Sequence, residues 1–316
     1  MSGTTIDALN GNDSIIGSSS GGSYNYGIDN KGSIDTGNGN DNVNGSGSGT
    51  GSSSNYGIYN TGSIDTGNGN DSITGSGSGS DSYSSNEGIL NYGSIDTGNG
   101  NDNVNGSGSG SGSSSNYGID NTGSITTGAG NDSITGSGSG GYYNSGIFNN
   151  GSIDTGNGND NINGSGSGSN TGSIKLGIVN NGTITTGAGN DSITGSYDGF
   201  NYVGFSNGIL NNGTIDTGEG NDTVNALVGG FGGSGITSLG AGDDTLKGFG
   251  SGTFVGGDGT DKILFGQGSY TISGGLINGI MSVNSFESIG GANGGLYAFQ
   301  NGTLTVNSLG VATSFV

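Results

Sequence analysis

A chain of 316 residues with 79 glycines, only 27% apolar residues and a formal charge of −21 cannot build an ordinary globular core, because too few large side chains oppose the entropy of ordering so much glycine. The 25 acidic residues face four lysines (Lys31, Lys175, Lys247 and Lys262) and no arginine, which excludes nucleic acid and anionic membranes as partners and favours cations. Without cysteine there is no disulfide framework or thiolate metal site, and without proline or a G-X-Y period there is no collagen. In chain order, residues 1–5 carry neither the basic start nor the apolar stretch of a secretory signal peptide. A partial repeat, Leu9-Asn10-Gly11-Asn12-Asp13-Ser14-Ile15, follows at once.

A full repeat, G-I-x-N-x-G-S/T-I-D/T-T-G-x-G-N-D-x-U with U aliphatic, then begins at Gly27, Gly57, Gly88, Gly118, Gly146, Gly177 and Gly208. The starts lie 28 to 31 residues apart, yet the six residues from Ile28 to Ile34 and the nine from Ile34 to Val43 keep their spacing in every copy. All length variation falls after the U position, for example from Gly45 to Tyr56. Fixed spacings with insertions on one side predict an all-β, parallel β-solenoid of about 30-residue coils over residues 1–225. Three aliphatic ladders follow, headed by Ile28, Ile34 and Val43, and a ladder of turn asparagines runs from Asn30 through Asn60, Asn91, Asn121, Asn149 and Asn180 to Asn211. The row Asp35, Asp65, Asp96 is interrupted by Thr126 and Thr185, which relieves like-charge stacking and also marks duplication of a two-coil unit.

Each coil contains a segment such as Thr36-Gly37-Asn38-Gly39-Asn40-Asp41-Asn42-Val43-Asn44. It matches the nonapeptide G-G-x-G-x-D-x-U-x in all but its first position, so the repeats resemble the calcium-binding β-rolls of the RTX family of secreted bacterial proteins. Glycines with positive φ allow a tight turn that aims carbonyls inward, and the aspartate adds the hard anionic oxygen that Ca²⁺ requires. The resemblance implies calcium ligands at Asp13, Asp41, Asp71, Asp102, Asp132, Asp160, Asp191 and Asp222, with Asp244 and Asp261 added from the degenerate turns at Gly240 and Gly257. The family's roll carries two such segments per coil; this chain has one, which predicts a single row of ions on one edge. Without metal the stacked carboxylates repel, so folding and calcium binding are expected to be one event.

After Asn225 the period breaks, and residues 226–316 read as irregular coils ending in a β cap. The segment from Asn284 to Gly291 and the ending Ala312-Thr313-Ser314-Phe315-Val316 resemble the C-terminal parts of RTX type I secretion substrates, implying export to the cell surface or beyond. The absence of His, Cys and Arg removes most catalytic pairs, so no enzyme is expected. The first coil lacks its own G-I-x-N strand, and its open edge predicts head-to-tail association of copies into a filament or surface layer. The alternatives are an ice-binding array on the row headed by Thr36, and a monomeric adhesin holding a glycan through Tyr24, Tyr26, Tyr56, Tyr117, Tyr142 and Tyr143.

Overall fold

The computed structural model describes residues 5–50, 54–80, 84–112, 114–168, 172–198 and 206–316. They form a parallel β-solenoid of about nine coils of roughly 30 residues, with no helix among the described residues. Each full coil supplies one strand to each of three sheets. In the first complete coil these are Tyr24–Asn30, Ser33–Asp35 and Asn42–Gly49, each in register with its equivalent one coil later. Equivalent aliphatic residues therefore sit on one another: Ile28 on Ile58, Ile34 on Ile64 and Val43 on Ile73. From the second full repeat onward these ladders are 0% exposed, as a row of β-branched side chains on stacked strands should be.

The asparagine ladder stands as expected. Asn30 Nδ2 donates to Asn60 Oδ1 at 2.7 Å, and the same bond recurs from Asn60 through Asn180 to Asn211 at 2.8–2.9 Å. A second buried asparagine ladder, Asn25, Asn55, Asn86, Asn116 and Asn144, runs along the neighbouring strand edge. Its signal, an Asn three residues before the first Ile of the first five full coils, lies in the stretch where chain length varies.

The Ser-Gly legs are strands. Gly45, Gly47 and Gly49 pair with Gly75, Gly77 and Gly79, with the serines between them turned outward or half-buried. Opposite them the strand of the first ladder also presents glycine. A Cβ on Gly27 would lie 2.6 Å from the Gly57 carbonyl oxygen and overlap the backbone at Ser46, while one on Gly45 would overlap Gly57. The two sheets thus meet backbone to backbone along this seam, which only glycine permits.

Beyond Asn225 the stacking continues on two faces. Thr223–Asn225 pairs with Thr245–Lys247, which pairs with Lys262–Phe265 and then Ser288–Gly291. The third face ends at Phe231–Gly232, and larger side chains (Phe231, Phe254, Phe265, Tyr270) fill the interior of the shortened coils. Antiparallel strands Gly268–Ser273, Gly302–Val306 and Ala312–Phe315 extend one sheet, and Gly294–Ala298 ends another.

Turn glycines decide how closely coils stack. Gly130 has φ +150°, and a Cβ there would overlap the Gly100 carbonyl oxygen. Gly130→Ala is expected to lower the melting temperature sharply and expose the neighbouring coils to proteolysis, whereas Gly266→Ala, whose Cβ meets nothing within 4 Å, should change it little. Limited proteolysis and calorimetry of the two variants check this.

Candidate metal centre

The segment between the second and third strands forms a turn in which two glycines take positive φ, Gly37 at +81° and Gly39 at +151°. The same pair of values recurs through Gly187 and Gly189, and the degenerate turns keep the pattern at Gly240 and Gly242 (+97° and +139°) and at Gly257 and Gly259 (+119° and +140°). All ten aspartates singled out in the sequence therefore reach one row. The backbone N–H of Asp13 donates to Asp41 Oδ1 at 2.7 Å, and each aspartate repeats this bond to the next, through Asp222 to Asp244 and Asp244 to Asp261. Asp13 is half-buried; the other nine are at most 2% exposed.

A parallel row uses the residue just before. The N–H of Asn70 donates to Asn40 Oδ1 at 2.8 Å, and the pattern runs from Asn12 to Asp243 and Thr260. Adjacent side chains thus reach opposite ways along the axis: the asparagine toward the following coil, the aspartate toward the preceding one.

The aspartate row leaves one atom in each coil unanswered. Oδ2 of Asp13, Asp41, Asp71, Asp102, Asp132, Asp160, Asp191, Asp222, Asp244 and Asp261 is buried without a hydrogen-bond partner. A buried ionised oxygen with no donor costs several kcal/mol unless a cation or a proton answers it. The glycines supply neighbouring oxygens. The space that a Cβ of Gly69 would fill is bordered by the Gly39 carbonyl oxygen and, at 3.2 Å, by Asp71 Oδ1. Among the described residues no three carboxylates converge on one point, so an ion here would take its oxygens from carboxylates of successive coils and from turn carbonyls. That donor set, all hard oxygen, fits Ca²⁺.

Two contributors were not visible as such in the sequence. The threonine row Thr36, Thr66, Thr97, Thr127, Thr155, Thr186 and Thr217 is 0% exposed and lies beside the carboxylates, so it offers no surface to ice. Glu287 ends the aspartate row, accepting from the N–H of Asp261 at 2.7 Å. Its signal is present, since Glu287-Ser288-Ile289 repeats the acid-Ser-Ile of Asp71-Ser72-Ile73, and Ile289 stacks on Ile263.

No family model, curated protein or solved structure matches this chain, and the fold defines it as a parallel β-solenoid repeat protein.

Burial raises four carboxyls of the row, Asp102, Asp160 and Asp222 to about 6 and Asp244 to about 7; backbone N–H donors pull each down, as do the hydroxyls of Thr97, Thr155 and Thr217 at the first three, and neighbouring carboxylates push them up. An unfolded aspartate titrates near 3.8, so between about pH 4 and 7 the metal-free folded chain binds more protons than the unfolded chain. Stability without metal is therefore greatest at the acid end and falls as pH rises through this window. In chelator, the melting temperature is expected to drop from pH 4.5 to 7.5, roughly the span between those values, and saturating calcium should flatten the curve. A metal-free chain that gains stability over the same rise contradicts this.

Proposed function

We propose that this chain is a calcium-dependent structural solenoid of the RTX kind, acting outside the cell and associating with copies of itself. The observation that carries the reading is the row of ten buried aspartate oxygens without a hydrogen-bond partner, one at each successive glycine turn, beside glycine carbonyls. Ten aspartates leave nine gaps, and nine divalent ions would bring the formal charge from −21 to −3. Calcium sites of modest affinity fill where calcium is millimolar, which fits an exported protein, and the resemblance of residues 284–291 and 312–316 to type I secretion substrates supports the same place. Catalysis is not part of this reading, since the buried carboxylates of the row are held for the fold.

Association is supported by the ends. Thr5–Asp7, Ser14–Ser20 and Tyr24–Asn30 are each the outermost described strand of their sheet. Ile6, Leu9 and Ile16 beside them are 43%, 68% and 74% exposed, and a gap of about 240 Å³ opens between Ile6, Ile28 and Ile34. The opposite end offers edge strands Gly294–Ala298 and Ala312–Phe315 with Leu296 and Leu309 exposed. An edge of unpaired donors and acceptors templates pairing with another chain, and a head-to-tail joint of unlike ends propagates.

Titrating the chelated protein with calcium should produce cooperative β circular dichroism, with about nine ions bound per chain by atomic absorption. A β signal and melting temperature unchanged by chelator would overturn the calcium reading. Association is read separately, by light scattering and negative-stain microscopy in calcium. Ile16→Lys, at an exposed edge position, should leave the folded monomer's spectrum intact and abolish filaments; a wild-type protein that stays monomeric at high concentration removes the association step alone.

A further inference from the structure

The outer surface of the sheet built on Tyr24–Asn30, the face that ends at Phe231–Gly232, carries a second set of acids, unrelated to the aspartate row. Stacked outward positions place Tyr26, Tyr56, Glu87 and Tyr117 in one column, and Asp29, Tyr59, Leu90 and Asp120 in the next. Glu87 and Asp120 line a shallow pocket of about 470 Å³ with Tyr117 and the serines Ser54, Ser84, Ser85 and Ser115. Glu87 is 5% exposed; its Oε1 accepts from Ser85 Oγ at 2.5 Å, while its buried Oε2 has no partner.

The same face shows what such a site takes. Two coils before Glu87 on the same sheet, Lys31 pairs with Asp29 and sets its ammonium 5.7 Å over the Tyr59 ring. Asp120 occupies the column of Asp29, three coils on, but no lysine of this chain lines its pocket. We propose that the pocket bounded by Glu87, Asp120 and Tyr117 binds a primary alkylammonium group supplied from outside the chain. The carboxylates provide charge, the serine hydroxyls accept N–H bonds, and the tyrosine ring receives the cation and its alkyl stem. Calcium fits less well, because the lining is side chains on strands, without the glycine-turn carbonyls of the metal row.

Burial and the nearby Asp120 push the Glu87 carboxyl up to about 8, and burial lifts Asp120 to about 6. The other titratable groups facing them, Tyr56, Tyr92, Tyr117 and Tyr143, are all raised from their ordinary value and stay neutral through this range. Binding an ammonium favours ionised Glu87, so it releases protons near neutral pH and tightens as pH rises toward about 8.

The test is calorimetric titration of the calcium-saturated full chain with n-butylammonium at physiological ionic strength, repeated at two pH values and with methyl glucoside as a neutral control. Saturable binding that tightens with pH, and that weakens roughly tenfold in Glu87→Gln, is expected. Asp120→Asn should weaken it in the same direction, which keeps the test open if Glu87→Gln misfolds. No saturable binding, wild-type affinity in both variants, displacement by further calcium, or preference for the neutral sugar would each overturn the proposal.

Discussion

Every coil of this solenoid meets its neighbours through copies of the same residues, and each side chain must therefore be compatible with its own kind. Isoleucine satisfies this by contact alone. Asparagine satisfies it because one amide both donates and accepts, so Asn30 through Asn211 form an uninterrupted chain of bonds. Ionised aspartate can only accept. The backbone N–H of the preceding coil answers one of its oxygens, and the other has no hydrogen-bond partner among the described residues. Asp65, in the more exposed row on the short strands, shows the milder form of the same conflict: burial and then Asp96 raise its carboxyl, and threonine replaces aspartate farther along at Thr126 and Thr185. No such replacement occurs at the ten aspartates of the buried row, whose unpartnered oxygens are the ones the proposed cation would answer.

The three ladders, the Asn30 row and the ten aspartates were legible because they recur at fixed spacing. Two features were harder to read. The Ser-Gly legs vary in total length, which marks a loop, yet their first residues alternate glycine and serine with a period of two, as a strand does. The inward residue of that alternation is glycine, so the apolar half of the usual pattern is missing; the interior there is filled by backbone instead of side chains. Glu287 was masked by a change of residue type and by coils that shrink from 31 residues to 22 and 17 before it. Its place follows only once Ile289 is seen to continue the ladder of Val43.

The third face divides the molecule's chemistry. Its inward Ile28 and Asn30 columns repeat faithfully, while its outward columns mix tyrosine, acid, aliphatic and serine from coil to coil. Aromatic contacts there, such as Tyr26 on Tyr56 with ring centres 5.2 Å apart, are local and do not run the length of the axis. Variation on this face does not disturb the stacking, so individual sites can differ between coils of one scaffold. The pocket at Glu87 is one such departure, since an acid stands where the coils on either side carry Tyr56 and Tyr117.

The opposed reach of Asn40 and Asp41 has a consequence for length. Because one side chain hooks the coil ahead and its neighbour hooks the coil behind, any two adjacent coils of the regular repeats make the same joint at this turn. A whole coil can be removed or duplicated without creating a new kind of contact, provided the terminal coils remain. The molecule then behaves as a ruler graduated in steps of about 4.8 Å, whose overall span is set by copy number alone.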